Sequence, residues 1–391
     1  MKIAALVSRA GPNNSPLFSM LSKEVDLTVY YCSDVGVGKN DYDAQFGRTV
    51  NWSDSFLSKH KYKFLKNFQS FSFRKNQDAW FNPSIISELI KNNYDALIVY
   101  GWNSFTDWLA FFACFFTRTK ILIWGENPMN QETVAGRKSF LKKALLKPLF
   151  KRVFAFLYIG EENRKFYKYY GVPDDKLFFV PYSTNNAVFS ATRDKLKSER
   201  EELRKKLLNI KDDRRVILFV GKLTEKKRPM DILRAYQLLN ENHPTLISLV
   251  FVGDGALRGS LEKYAAEYAL PDVYFTGFAC QEEVQKYYAV ADVFILPSGI
   301  GETWGMVVNQ AMCFGLPVIV SDMVGCGPDL VKKGVNGFSF PCGDVQALAE
   351  RIKKIITSKE MLADFGRESK KIIERYSYEE DIRGIKKALG I

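Results

Sequence analysis

The chain has 391 residues, 47% hydrophobic and 26% charged, a composition that excludes a disordered polymer and exceeds one ordinary core, so two domains of about 200 residues each are expected. No run reaches the ~18 apolar residues of a membrane span; the most apolar one, Trp108–Phe116, predicts a buried helix. The net charge of +12 is uneven: residues 1–190 hold 25 Lys+Arg against 16 Asp+Glu, residues 191–391 hold 31 against 28, which points to an anionic partner on the first half.

Six scattered cysteines without a C-x-x-C pair fit reduced thiols in the cytosol. His60 and His243 are the only histidines, too few for a Cys/His metal cluster. Met1 runs straight into an apolar segment, so no secretory leader is expected.

Buried strands are predicted at 2–8, 27–32, 96–100, 120–124 and 153–159, with helices between them, 83–92 for example. This alternation predicts a parallel sheet wound on both faces. Gly11 opens a polar turn after the first strand, and Glu126 and Asn127 follow the strand at 120–124. Asp41-Tyr42-Asp43 is a D-x-D in a polar loop without a strand just before it, and chance explains it best.

Two stretches are both basic and aromatic. Residues 59–75 carry six Lys+Arg and five aromatics; residues 137–152 carry seven Lys+Arg among Phe140, Leu141, Leu145, Leu146 and Phe150; neither holds an acid. Such stretches suit an anionic membrane surface, and a core-packed helix with a solvated basic face is the plainer alternative. No nucleic-acid module accompanies the charge. A polar hinge near 183–189 then leads into a charged helix over 194–208.

The second half repeats the α/β pattern. Strands are predicted at 215–220, 246–252, 273–276, 292–296, 317–320 and 337–340; helices near 229–241, 256–268, 281–290, 303–314, 344–357, 359–374 and 378–389. Gly221-Lys222-Leu223 and Lys227 follow the first of these strands, Gly253 the second, and Gly277-Phe278 the third. The stretch from Pro297 to Asp322 reads as strand end, glycine turn, helix opened by Glu302 and Thr303, tight turn and strand. A loop that feeds backbone N–H groups into a helix start suits an anion. Glu302 and Gln310 are spaced to face one cleft.

These residues resemble the donor-site signature of retaining glycosyltransferases of the GT-B fold (family 4, glycosyl transferases group 1). That signature is a glutamate, seven residues, a second glutamate, Ala-Met and Gly-x-Pro-Val-Ile. Glu302, Ala311, Met312, Gly315, Pro317, Val318 and Ile319 match, while Gln310 stands at the second glutamate. The resemblance implies two Rossmann-like domains facing across a cleft: 1–190 for the acceptor and 191–375 for a nucleoside-diphosphate sugar, with 376–391 packing back on the first. It assigns catalysis to Glu302, Lys222 and Lys227. The donor would be bound by these with Gly221, Gly253, Gly277, Phe278, Thr303, Trp304, Gly305, Met306, Val307 and Gln310. The acceptor side would hold Gly11, Glu126 and Asn127.

No metal or cofactor is implied beyond the sugar nucleotide, with UDP favoured on frequency. The acceptor would be a glycan or lipid-linked, and the setting the cytoplasm at the inner membrane face, in surface polysaccharide or glycolipid synthesis. The family's Gly-Gly loop is reduced to Gly11, and no histidine ends a buried strand of the first half. A non-catalytic membrane scaffold and a sugar-nucleotide epimerase on the same fold therefore stay open.

Overall fold

The structure, a computed structural model, is described for all residues except 12–13, 35–36, 38–40, 44–47, 51–56, 58, 69–79, 211–213 and 243–246; at 41–43, 48–50, 138 and 242 the backbone alone is described. The chain forms two compact units. One comprises Met1–Tyr42, Thr49–Pro181 and Tyr378–Ile391, the other Asp43–Arg48 and Tyr182–Ser377.

Seven strands make the sheet of the first unit: β1 (Lys2–Arg9), β2 (Asp26–Ser33), β5 (Lys61–Phe64), β6 (Ala96–Val99), β7 (Lys120–Gly125), β8 (Ala155–Tyr158) and β9 (Leu177–Phe179). Their order is β5-β2-β1-β6-β7-β8-β9 and every pairing is parallel. The central strands are continuous apolar runs because helices cover both faces. One face packs into an aromatic core in which Trp102 stacks on Phe166 (5.8 Å between centroids) and Phe150 meets Phe156 edge-on (4.9 Å). The terminal helix Tyr378–Leu389 belongs to this unit: it lies against β8, β9 and the helix Ser15–Leu21, and Lys386 pairs with Glu24 at 2.7 Å.

Three local expectations change. Asp41–Asp43 is not loop but strand β3, paired with β4 (Arg48–Val50) in a separate two-stranded sheet. The described part of the basic stretch 59–75 contains edge strand β5, where Lys61 pairs with Asp26 (2.8 Å) and Lys63 with Glu88 (2.7 Å), so acids elsewhere in the chain answer these two charges. The helix over Trp108–Phe116, observed as Phe105–Thr117, is buried on one side only.

The second unit has six strands: β10 (Arg215–Val220), β11 (Ile247–Val252), β12 (Val273–Gly277), β13 (Val293–Leu296), β14 (Val318–Ser321) and β15 (Gly337–Phe340). They run parallel in the order β12-β11-β10-β13-β14-β15, the doubly wound pattern expected from the apolar runs. The charged segment expected as one helix is two, Asn186–Leu196 and Arg200–Leu208. Asp292, its side chain 8% exposed, holds the second: it accepts from Arg200 and Arg204 at 2.8 Å each and from the backbone N–H of Val216 at 2.7 Å.

Candidate functional site

In the second unit the candidate residues collect where strands β10, β11, β12 and β13 end, the edge at which open α/β sheets bind ligands. Three glycine turns interlock there. The N–H of Gly221 donates to the Val252 carbonyl (3.0 Å), and that of Gly253 to the Gly277 carbonyl (2.9 Å). At φ +142° a Cβ on Gly253 would lie 1.9 Å from the Gly221 carbonyl oxygen, so only glycine permits this approach. Phe278 follows, half-buried, and Leu223 donates to the Asp254 carbonyl at 2.9 Å.

The loop after β10 carries the cations. Lys222 is half-buried directly beyond Gly221, and Glu225–Lys227 makes one turn of 3-10 helix before the helix Pro229–Asn242. The Lys227 side chain returns over Gly221: its Cδ lies 3.9 Å from where a Cβ on that glycine would stand. The Lys227 ammonium donates to the Glu302 carboxylate, joining residues 75 positions apart in an ion pair with side chains 17% and 9% exposed. A backbone hydrogen bond from Gly299 to the Lys226 carbonyl (2.8 Å) latches the two loops beside this pair.

The glutamate loop is tightly held. The Glu302 carbonyl accepts from Gly325 (3.1 Å), and the Trp304 carbonyl from Cys326 (3.0 Å). The helix begins at Met306, not at Thr303, because Gly305 adopts a left-handed conformation (φ +99°) and caps it. Glu302 and Thr303 therefore lie in the turn ahead of the helix, and the orphan N–H groups at its start fall at Met306 and Val307. A Cβ on Gly305 would press to 2.9 Å from Leu296 and 3.1 Å from Val324. Cys326, fully buried behind this turn, has its thiol pushed up by burial and secondarily by Asp329 and Glu302, which leaves it unreactive.

Sequence reasoning named Trp304 and Gln310 but missed three contacts that support the site. Trp304 is buried and donates from its indole to Asn309 (2.9 Å), which in turn donates to the Tyr182 carbonyl (2.9 Å). Arg228 pairs with Asp231 at 2.7 Å and flanks Gly299. The side-chain oxygen of Gln310 accepts from the buried Tyr288 hydroxyl at 3.1 Å, which engages that glutamine within the unit. The arginine follows a lysine pair in the sequence and was legible as charge; nothing local marks Asn309 or Tyr288 as partners of the site.

In the first unit, Gly11, Glu126 and Asn127 share the carboxyl edge of their own sheet, after β1 and β7, which flank β6 and so lie about 10 Å apart. The Gly11 N–H donates to the Asn14 side chain (3.0 Å), and a Cβ there would meet nothing closer than 3.9 Å, so a second residue type would fit. The Asn127 carbonyl accepts from Asn163 (3.0 Å). His60 is tied to the Tyr31 hydroxyl (3.1 Å) and faces Phe18; burial lowers its pKa to about 4, and it stands ahead of edge strand β5. His243 lies outside the described residues.

Residues 199–372, within the second unit, match the family model described as glycosyl transferases group 1. The chain is 30% identical over 181 residues to sulfoquinovosyl transferase SQD2 of Arabidopsis thaliana, covering 46% of this chain and 34% of that protein. It is 37% identical over 139 residues to the amylovoran biosynthesis glycosyltransferase AmsK of Erwinia amylovora, 34% of each chain. It thus spans about a third of the length of these two curated relatives. Over its whole length it resembles HepE from Anabaena, solved with UDP and glucose, with a TM-score of 0.72, 17% identity and 99% of that chain covered. The fold is GT-B, and the matched segment supports a group 1 glycosyltransferase.

Proposed function

We propose that the chain is a retaining glycosyltransferase of family 4 that moves a hexose from a nucleoside-diphosphate sugar, a UDP-sugar in first place, to a glycan or lipid-linked acceptor. One observation carries the reading: Lys227 and Glu302, far apart in sequence, meet at the strand ends beside the interlocked Gly221, Gly253 and Gly277. The matches to glycosyl transferases group 1 and to a UDP-bound structure support it. In the free protein each charge answers the other. With donor present, Lys227 and Lys222 would turn to the diphosphate and Glu302 to hydroxyls of the sugar.

Breaking the sugar–phosphate bond puts negative charge on the leaving phosphate. Fixed ammonium groups and the helix start at Gly305–Val307 stabilise that charge as it forms. The reaction proposed needs no metal: the departing phosphate takes the proton of the acceptor hydroxyl, which attacks from the face the phosphate leaves. Gly11, Glu126 and Asn127 are proposed to line the acceptor. The setting proposed is the cytoplasmic face of a membrane, in surface polysaccharide or glycolipid synthesis; no helix among the described residues is long and apolar enough to cross a bilayer.

A thermal-shift panel of UDP-, GDP- and ADP-sugars tests the donor side. Saturation at about 100 times the dissociation constant should add about 2.7 kcal/mol to the second unit with the true donor. No shift with any of them would remove the donor assignment. Proton NMR of the product anomer tests retention: an inverted anomer would contradict it.

A further inference from the structure

Helix Phe105–Thr117 buries Thr106, Ala110, Phe111, Ala113 and Cys114 and turns a row of phenylalanines outward. Phe112 is 55% and Phe116 71% exposed, with Phe105 and Phe115 beside them in an arc of about 100°. Helix Arg137–Arg152 does the same. Leu146, Leu149 and Phe150 face the core, and Phe140, Leu141 and Leu145 emerge on the opposite side at 73%, 65% and 56% exposure. The two helices touch where the Arg152 guanidinium lies 5.1 Å over the Phe115 ring.

An apolar patch on this scale is unusual for a surface left in water. Its charge is one-sided. No Asp or Glu occurs between Asp107 and Glu126 or between Glu132 and Glu161, while Arg137, Lys147, Lys151 and Arg152 stand among the exposed apolar side chains. A second copy fits poorly, because a two-fold contact would set these cations against themselves with no acid to answer them. An anionic bilayer fits both halves of the pattern.

We propose that the outward faces of helices 105–117 and 137–152 form one bilayer-docking surface. Phe112, Phe116, Phe140, Leu141 and Leu145 enter the boundary between headgroups and acyl chains, and the cations engage anionic headgroups. This deepens the lipid-side reading above and rests on it for purpose, though the surface is testable by itself. The basic stretch alone directs attention to 137–152; the exposed row on helix 105–117 supplies the insertion.

The test is flotation of the full chain with phosphatidylcholine vesicles, with and without phosphatidylglycerol. The chain should float with the anionic vesicles and stay behind with the neutral ones. The pairs Phe112→Ser/Phe116→Ser and Lys147→Glu/Lys151→Glu should each weaken binding at least about tenfold. A Phe116→Trp reporter should shift its emission to the blue on adding anionic vesicles. Nucleoside diphosphate release without vesicles should be unchanged in all three variants, which separates failure of this surface from failure of the enzyme reading. Absence of anionic-vesicle binding by the wild type, or binding unaffected by both pairs, overturns the proposal. Self-association that the same pairs abolish, seen by sedimentation, overturns it in favour of a second copy.

Discussion

At the scale of single residues, the glutamine at 310 is the chain's clearest departure from the donor signature. Its oxygen already accepts from the Tyr288 hydroxyl. A glutamate there would keep that bond and offer a second, charged oxygen, and hydrogen bonds to charged groups are about twice as strong as neutral ones. Gln310→Glu should therefore tighten sugar-nucleotide binding several-fold by calorimetry; looser binding would mean that Gln310 does not face the nucleotide. His60 supplies a pH test in the first unit. Burial lowers its pKa to about 4 from about 6.5 in an unfolded chain. The unfolded state takes the proton first, so the stability from neutral His60 is whole above about pH 6.5 and is lost as pH falls through 4. Buried Asp107, its carboxyl pushed up to about 6, works the other way: its contribution is whole below about pH 3.9 and lost as pH rises through 6. Urea midpoints of His60→Gln should fall less than wild type between pH 6.5 and 4, because the variant keeps the Asp107 contribution and drops the His60 one. Equal slopes would count against this assignment.

At the scale of elements, apolar runs bounded by turn residues made all six strands of the second unit legible, most plainly the four central ones, β10, β11, β13 and β14, which are covered on both faces. What stayed hidden depended on distant partners or on backbone conformation. Gly305 delays the helix start to Met306 through its left-handed φ, which composition does not announce. Edge strand β5 looked like a basic surface segment because the acids answering Lys61 and Lys63 come from other elements. Apolar content alone could not say that Phe112 and Phe116 face outward. Nor did spacing reveal that Asp292 gathers Arg200 and Arg204, anchoring the helix Arg200–Leu208. Asp292→Ala would strand the buried Arg204 charge and should cost the second unit about 3–5 kcal/mol. A urea midpoint unchanged from wild type would show that water reaches Arg204 and replaces the carboxylate.

At the scale of the whole molecule, the α/β duplication was readable from the two series of strands, while the return of the terminal helix came only from the resemblance to the GT-B fold. That helix buries Tyr378, Ile385 and Leu389 in the first unit. Each buried side chain of this size is worth about 1.5–3 kcal/mol, so truncation after Ser377 should lower that unit's stability by more than about 3 kcal/mol, visible as faster proteolysis of residues 1–181. The proposed chemistry rests on the meeting of Lys227 and Glu302, and one assay addresses it: nucleoside diphosphate release by the purified chain from the sugar nucleotide that stabilises it, with acceptor glycan or lipid supplied. The wild type should release diphosphate in step with sugar transfer, and Lys227→Ala should lower kcat by about 10²–10³, with Glu302→Gln impaired as well. Release that proceeds unchanged in both variants, or no release by the wild type with any donor, would contradict the account.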